Sequence, residues 1–387
     1  MTRVTRRPAA SLALARALVR WFHVHCRDLP WRRTRDPYSI WVSETMLQQT
    51  RVAAVVPYYE RFLARFPDVH ALARAPLDDV LAAWSGLGYY RRARQMKAAA
   101  EAVVRDHGGR LPDDEAALRA LPGVGRYTAG ALLSIAFERR AALVDGNVSR
   151  VLARLFALSG GPGKSAFERR VWALAETLVP ASDPSAFNQG LMEIGATICL
   201  PRAPLCTECP LARHCRARAA GRPEAYPKPR PRARPVRAEL WALVLARRGR
   251  YLLRRRGEGE HNAGFWEFPT FEAPDRTRDG EAATVASFFA RTLARAGGPR
   301  LAPGTLRALA EGPSVRHAIL TRDLRIRVFC GAFPGRPAGL AARSTARRRS
   351  EGWGYSAPRT FALRPFTAAS RKIARKLGIG ARAWQAP

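Results

Sequence analysis

The chain gathers most of its thiols into one short segment. Four of its six cysteines lie within 17 positions, with six, two and five residues between them: Cys199, Cys206, Cys209 and Cys215. Four thiolates in one loop can close around a single inorganic centre. Structural zinc sites usually contain two closely spaced ligand pairs, whereas only one such pair exists here. We therefore favour a [4Fe-4S] cluster over zinc, and we interpret Cys26 and Cys330 as ordinary buried thiols.

Two acidic residues interrupt segments that are otherwise apolar. Glu44 lies within WVSETMLQQT, and Asp145 ends the apolar part of LVDGNVSRVLARLF, just before a helical pattern. A carboxyl group in apolar surroundings keeps its proton to higher pH and can act as a general acid, while an ionised carboxylate can stabilise a developing oxocarbenium ion. The pair therefore indicates cleavage of a glycosidic bond. For Asp145 alone the alternative is a helix N-cap, worth about 1 kcal/mol.

A possible phosphate site lies within PDDEAALRALPGVGRYTAGALLSIAF, which predicts two helices joined by a tight turn. Gly123 and Gly125 allow the backbone to approach a ligand closely, and the amides where the second helix opens, at Arg126, carry partial positive charge. A plain turn between helices is the alternative. In a basic chain we favour binding to the DNA backbone.

The composition is strongly basic, with 66 Lys and Arg residues against 31 Asp and Glu and a formal net charge of +35. Such a charge is typical of proteins that bind a polyanion. Because nearly all basic residues are Arg, the coding bias of a GC-rich genome is an alternative explanation. No apolar run approaches the roughly 20 residues of a membrane span. We expect a soluble cytoplasmic protein with reduced cysteines and no membrane partner.

The sequence pattern changes twice along the chain. Residues 1–219 have helical spacing of apolar residues with Pro and Gly breaks, which predicts an all-α domain that includes the cysteine loop 199–215. Residues 220–237 are rich in Pro and Arg and predict an extended basic linker. In residues 238–387, ELWALVLARRGRYLLRRR and DLRIRVFCGAF are typical of strands. A small α+β domain should therefore follow the linker.

The order of several motifs carries a specific resemblance, from about Ala15 to Cys215. The motifs WVSETMLQQT, SGLGYYRRAR, LPGVGRYTAG, LVDGNVSRV and FNQGLMEIGA, followed by the cysteine loop, closely resemble those of adenine DNA glycosylases of the MutY type. This family belongs to the helix-hairpin-helix superfamily of base-excision enzymes. The resemblance implies a glycosylase domain with an iron-sulfur loop. It also implies removal of adenine mispaired with 8-oxoguanine or G in double-stranded DNA.

The same resemblance implies roles for four residues. Glu44 would protonate the flipped adenine as it leaves, and Asp145 would stabilise the sugar cation. Asn147 matches a residue that helps to hold the catalytic carboxylate and water. Tyr127 stands where related glycosylase-lyases of the endonuclease III type carry a lysine that forms a Schiff base. A phenol cannot form one, so a monofunctional enzyme is expected.

Five further positions match residues that contact DNA or the base. Gln49 and Tyr89 resemble the residues that wedge into the duplex beside the extruded base. Trp31, Arg32 and Gln189 resemble the walls and hydrogen-bonding groups of the adenine pocket. The alternatives are core positions for the two aromatic residues and a helix surface position for Gln49.

The C-terminal residues resemble, more weakly, the Nudix-like domain by which this family recognises 8-oxoguanine, through GFWEFPTFE. The following helix lacks the clustered glutamates that hold magnesium in Nudix hydrolases, so no pyrophosphatase activity is expected. Where many members carry a Phe-Ser-His loop, this chain has Ile319, Leu320 and Thr321. The lesion-sensing serine and histidine are thus absent, which leaves His317 and Thr321 as candidate replacements.

Two other functions remain open at this point. Related thymine glycosylases that act on T opposite G also carry tyrosine at the lysine position, although Gln189 and the long C-terminal domain favour adenine. A non-catalytic DNA-binding iron-sulfur protein that senses redox state would retain the hairpin and the cysteines, but it would not need Glu44 and Asp145 together. In each case we expect a monomer.

Overall fold

The computed structural model describes residues 9–229, 235–274, 285–301, 306, 308–319, 322–333, 352–361 and 364–380. Contacts divide the described chain into two compact units. The first contains residues up to 74 and from 95 to 229, and the second contains residues 75–94 and those from 235 onward. Nothing in the amino-acid sequence indicates that residues 75–94 group with the C-terminal part. The boundaries at residues 219 and 237 remain predictions.

Between residues 9 and 219 all regular structure is helical, as the sequence predicted. Twelve α-helices follow one another: α1 Ala9–His25, α2 Pro37–Leu47, α3 Val52–Arg65, α4 Val69–Arg74, α5 Leu77–Trp84, α6 Arg91–His107, α7 Glu115–Ala120, α8 Arg126–Ala131, α9 Gly146–Leu155, α10 Ser165–Leu178, α11 Pro184–Thr197 and α12 Arg216–Ala219. A π-helical turn, Leu132–Ala136, continues α8. Within the described range, α5 and the first residues of α6 belong to the second unit.

Aspartates begin four of these helices. Asp36, Asp114, Asp145 and Asp183 are the N-caps of α2, α7, α9 and α11, and each side chain accepts a hydrogen bond from a backbone N–H of the first turn. These bonds satisfy amides that have no partner within the helix. The capping role anticipated for Asp145 is therefore confirmed, and any chemical role must be compatible with it.

Part of the predicted linker packs against the first unit. Arg154 Nε donates to the carbonyl oxygen of Tyr226 at 3.0 Å, and the Lys228 amide donates to the carbonyl oxygen of Gly160 at 2.9 Å. Residues 230–234 lie outside the described residues. The beginning of the linker is thus fixed by hydrogen bonds to a helix and to a loop, which its Pro- and Arg-rich composition does not reveal.

The second unit contains the predicted α+β domain. Its described strands are β1 Val236–Arg247, β2 Arg250–Arg255, β3 Trp266–Glu267, β4 Thr270–Glu272, β5 Ala310–Glu311, β6 Val315–Ile319, β7 Arg322–Ala332 and β8 Trp353–Ser356. The sheet order is β3-β2-β1-β7-β5, with β4 beside β1, β6 beside β7 and β8 beside β2. The β1–β7 pair is parallel, and the other pairs are antiparallel.

Two hydrophobic cores lie on opposite faces of this sheet. Successive side chains of a strand point to opposite faces, and β1 supplies Ala242 to one core and Trp241 to the other. The helix α13, Val285–Arg295, packs on the Trp241 side, and α14, Ala368–Lys376, packs on the Ala242 side. The helix predicted after GFWEFPTFE is therefore present as α13.

Long-range hydrogen bonds explain why α5 groups with this unit. Ser85, at the end of α5, donates through Oγ to the carbonyl oxygen of Phe366 at 3.0 Å. Its own carbonyl oxygen accepts from Arg371 Nη1 at 2.8 Å. The rings of Tyr90 and Phe265 lie 4.0 Å apart between centroids. These contacts join residues far apart in sequence, which local periodicity cannot reveal.

The described residues can be compared with two further predictions, which concern a membrane span and the segment that replaces the Phe-Ser-His loop. In the part of the chain that the structure describes, no helix combines the length and apolar character of a membrane span. Leu320 and Thr321, from the segment that replaces the Phe-Ser-His loop, lie outside the described residues.

Candidate active site

Glu44 lies on a helix that is buried on nearly all sides. Eight of the eleven residues of α2 are buried, and Glu44 itself is only 4% exposed. The helix begins at Pro37, where a fixed φ and a missing N–H suit the first turn. A carboxylate in such surroundings loses most of its hydration, so its charged form is disfavoured. The sequence prediction of an acid in an apolar setting is confirmed.

Tyr127, in the first turn of α8, contacts this carboxyl group directly. Its Oη donates a hydrogen bond to Glu44 Oε2 at 2.5 Å. Burial raises the pKa of Glu44 to about 7, although the Tyr127 hydrogen bond lowers it; the charge of Asp145 raises it further. Burial also raises the pKa of Tyr127 well above its ordinary value, so the phenol remains a neutral donor. Glu44 can therefore both give and take a proton near neutral pH.

Asp145 has a different environment. As the N-cap of α9, it accepts from the Val148 amide through Oδ1 at 2.7 Å and from Asn147 Nδ2 through Oδ2 at 3.1 Å. Burial raises the pKa of Asp145 above its ordinary value, and these hydrogen bonds offset only part of that rise. Hydrogen bonds to a carboxylate favour its charged form. The two acidic groups thus have the distinct surroundings that acid and anion roles require.

Helix α9 connects Asp145 to the cysteine loop. Arg150 Nη2 donates to Asn147 Oδ1 at 2.9 Å, and Arg150 Nε donates to the carbonyl oxygen of Cys199 at 2.8 Å. One turn further, Arg154 Nη1 donates to Cys199 Sγ at 3.3 Å. Sequence reasoning missed both arginines. Their spacing from Asn147, at i+3 and i+7, places all three on one helix face and could have indicated them.

The four cysteines of the loop are half-buried free thiols. Burial raises the pKa of Cys209 to about 11, and the charges of the other three thiols raise it further. No three His, Cys, Asp or Glu side chains of the described chain are grouped so that they could hold a metal ion. Cys26 is exposed, so its prediction as a buried thiol was wrong: it follows the end of α1, where His23, Val24 and His25 are exposed as well.

The predicted base-pocket residues are partly brought together. Arg32 Nε donates to Gln189 Oε1 at 3.3 Å, and the charge of Arg32 lowers the pKa of Glu44, so Arg32 interacts with both the amide and the acid. Trp31 is 6% exposed and packs edge-on against Tyr59 with ring centroids 5.4 Å apart. Most of the Trp31 surface is thus occupied by the core of the protein.

Sequence reasoning also missed Glu193, on α11. It is 1% exposed and lies four residues after Gln189, on the same helix face. Although burial raises its pKa, hydrogen bonds from Arg27 and Arg32 lower the pKa of Glu193 to about 2. A lone acid within the apolar part of FNQGLMEIGA is the same signal that singled out Glu44.

The two predicted wedge residues share an uncommon backbone conformation. Gln49, in the first unit, has φ 57°, and Tyr89, in the second unit, has φ 48°. Residues with a side chain rarely adopt positive φ, and such strain is often found at functional sites. Both side chains are exposed, with Tyr89 at 45%. Tyr89 is therefore not a core aromatic residue.

The glycine hairpin has the predicted form, but the Arg126 side chain interacts with other side chains of the protein. Gly123 has φ 77°, and a Cβ there would lie 2.6 Å from the Cβ of Gln95, so only glycine fits. A Cβ at Gly125 would have no atom within 4 Å, which leaves its backbone open to a ligand. The Arg126 side chain pairs with Glu176 and stacks over the Trp172 ring at 3.9 Å. The backbone groups of the hairpin are therefore more available to a ligand than the Arg126 guanidinium is.

Comparison with known proteins adds three findings. Residues 42–177 match the HhH-GPD superfamily of base excision DNA repair proteins. The chain is 36% identical over 256 residues to the adenine DNA glycosylase of Buchnera aphidicola subsp. Acyrthosiphon pisum, covering 66% of this chain and 73% of that protein. It is 47% identical over 214 residues to that of Rattus norvegicus, covering 53% of this chain and 42% of that protein. The match thus spans less than half the length of the rat relative.

A solved structure is similar to just over half of the chain. It is a thermostable thymine-DNA glycosylase, with a TM-score of 0.50 and 33% sequence identity. The match covers 55% of this chain and 97% of that protein. The similarity therefore extends to the arrangement of the helices in addition to the sequence.

Proposed function

Because the chain belongs to the adenine DNA glycosylase family, within the HhH-GPD superfamily of base excision DNA repair proteins, we propose that it removes adenine mispaired with 8-oxoguanine or G from double-stranded DNA. The observation that carries this proposal is the Tyr127–Glu44 hydrogen bond beside Asp145. A buried acid with a pKa near 7, a second carboxylate and a phenol in place of an amine together fit hydrolysis of an N-glycosidic bond.

The proposed reaction begins with extrusion of the adenine, because the base cannot be reached inside the stack. Protonated Glu44 gives its proton to a ring nitrogen of adenine as the bond between N9 and C1′ breaks, and the bonding electrons leave with the base. Asp145 stabilises the cation left on the sugar. Water then adds to C1′ and its proton returns to Glu44, which leaves an uncut abasic site.

Tyr127 and Asn147 support this chemistry without forming bonds to the substrate. Tyr127 holds one orientation of the Glu44 carboxyl group and cannot form a Schiff base. Asn147 donates to Asp145 and is itself held by Arg150. We propose that Gln49 and Tyr89 contact the duplex beside the extruded base, and that the backbone at Gly123 and Gly125 contacts a phosphate.

The test is single-turnover base release from duplexes with A opposite 8-oxoguanine, G, C or T, and T opposite G. Alkali added afterwards cuts any abasic site. We expect adenine release opposite 8-oxoguanine and G, and no strand cleavage before alkali. Release of T opposite G would favour the function named for the structurally similar thymine-DNA glycosylase. Duplex binding without release of any base would favour the non-catalytic alternative.

The same panel tests selectivity for the opposite base. The second unit, with helices on both faces of a mixed sheet, is compatible with the proposed Nudix-like domain. Because the lesion-sensing serine and histidine are absent from the sequence, faster release opposite 8-oxoguanine than opposite G would require other residues to sense the lesion. Equal rates would indicate that this unit does not read the lesion.

We further propose that Cys199, Cys206, Cys209 and Cys215 hold a [4Fe-4S] cluster. The type, number and sequence spacing of the four thiols fit such a cluster, which would shape the loop that carries Arg202 and Arg213 so that these can meet phosphates. Protein purified without oxygen should be brown and contain about four irons per chain. A colourless protein with one zinc per chain would contradict this assignment.

A further inference from the structure

Four hydrogen-bond donors of the protein surround the Glu193 carboxylate. Oε1 accepts from the backbone amide and Nε of Arg27, at 3.2 and 2.6 Å. Oε2 accepts from Arg27 Nη2 at 2.8 Å and from Arg32 Nη2 at 2.9 Å. A carboxylate offers about four lone-pair sites, so four donors satisfy it fully. Glu193 can therefore act on a base only through its partners.

The carboxylate fixes the position of Arg32. Besides the bond to Glu193, Arg32 Nη1 donates to the carbonyl oxygen of Arg27 at 3.0 Å, and the guanidinium lies 5.2 Å from the centroid of the Phe22 ring. The Arg32 side chain is only 13% exposed. Two of its nitrogens are thus committed to protein acceptors, which leaves Nε directed at the side chain of Gln189.

Arg32 determines which way the Gln189 amide faces. A guanidinium only donates hydrogen bonds, so the atom that meets Arg32 Nε at 3.3 Å must be the amide oxygen, Oε1. Nε2 then donates to Ser185 Oγ at 3.1 Å. Each end of the amide retains one unused site: a lone pair on Oε1 and a hydrogen on Nε2.

This orientation is complementary to adenine. The exocyclic N6 amine of adenine donates, and the ring nitrogen on either side of it, N1 or N7, accepts, so an amide can bind the amine and one ring nitrogen at once. In hypoxanthine the amine is replaced by an accepting oxygen and N1–H donates, whereas N7 still accepts. The Gln189 amide would therefore place its oxygen against O6 of hypoxanthine, and only after a flip could it bind O6 and N1–H together.

We propose that Glu193 is a specificity-determining positioning residue, which holds Arg32 so that the Gln189 amide presents its oxygen to the N6 amine of adenine. The inference rests on the proposed glycosylase function and adds the element that selects the base. Because the charge of Arg32 also lowers the pKa of Glu44, its release can change both rates together, whereas the ratio of adenine to hypoxanthine release reports base discrimination.

The test compares release of adenine and of hypoxanthine, each opposite G, in single turnover. Glu193→Gln removes the charge and places an NH₂ group against N–H donors, so Arg32 is released and the Gln189 amide can flip. The ratio of adenine to hypoxanthine release should fall by about tenfold, the scale of one lost hydrogen-bond discrimination. The chemical lability of the two bases cancels when this ratio is compared between variant and parent.

Three further variants separate a positioning role of Glu193 from an effect on folding. In a Gln189→Ala background, Glu193→Gln should leave the ratio unchanged, because the amide through which it acts is gone. Asp113→Asn, which removes the partner of Arg139 at an exposed site, should leave the ratio at the parental value. Glu193→Asp retains the charge, so it should keep more of the discrimination than Glu193→Gln does.

The outcomes distinguish this inference from the proposed function. If the parent protein releases no adenine, the proposed function is wrong. If the parent releases adenine selectively and Glu193→Gln keeps the same ratio per active molecule, only the role of Glu193 is wrong. A fall in active fraction at constant ratio would also contradict the inference, because a purely structural residue behaves in that way.

Discussion

Glu44→Gln should reduce the single-turnover rate of adenine release by about 10²–10⁴-fold, the usual contribution of a general acid. The amide has nearly the same shape and can still accept the hydrogen bond from Tyr127, but it has no proton to give to the base. Affinity for the duplex should change little, because the side chain is 4% exposed and contributes no surface for the phosphate backbone. Rates and dissociation constants measured on the same substrate check both statements.

The pH dependence provides an internal control for this result. Because the pKa of Glu44 is about 7, its protonated form is present below that pH and is lost as the pH rises through it. The parental rate should therefore decline above about pH 7, and the residual rate of the variant should lack this step. Glu60→Gln, at an exposed position of α3, is the matched control and should behave like the parent. A Glu44→Gln variant with parental turnover would refute the role of this acid.

Asp145→Asn should lower the same rate by about 10²–10³-fold, the scale of one lost electrostatic contact to a developing charge. Asparagine is also a good N-cap, so the Val148 amide keeps an acceptor and α9 should still begin at the same residue. The cost in the free energy of unfolding should stay near 1 kcal/mol or below. Loss of activity would thus arise from the missing charge and not from an unfolded helix.

The N-cap of another helix supplies the control for Asp145→Asn. Asp114→Asn makes the same change at the N-cap of α7, where the side chain accepts from the Ala117 amide at 2.9 Å. It should affect stability to a similar extent and leave base release unchanged. If the two variants lose activity equally, the effect of Asp145 is one of capping alone. Thermal unfolding measured beside the rates distinguishes the two cases.

The helical half and its acidic residues could be predicted because their signals are local. The spacing of apolar residues and the Pro or Gly breaks indicate the helices. The apolar residues around Glu44 indicate from the sequence alone that this side chain is buried. The thiol cluster is equally local, with four ligands in one loop. In each case the residues that define the feature lie within a few turns of one another, where periodicity and spacing carry information.

What could not be predicted depends on partners that are distant in sequence. Arg126 has a clear position after the glycine hairpin, but its pairing with Glu176 joins residues that are 50 apart. Arg32 meets Glu193 across 161 residues, so neither motif alone indicates a shared network. The exposed Cys26 shows the limit for single residues, because the type of a residue does not reveal that the end of its helix is exposed to solvent.

The contacts of α5 also have a consequence for synthesis of the chain. Ser85 leaves the ribosome 286 residues before Arg371, to which its carbonyl is hydrogen bonded. At bacterial or eukaryotic elongation rates this interval lasts roughly 15 to 60 s, which is long compared with the folding of a helical domain. The end of α5 therefore lacks its hydrogen bonds to Phe366 and Arg371 until these residues have been synthesised. During that interval we expect chaperones or proteases to act on α5 more readily than after residue 371 has been added.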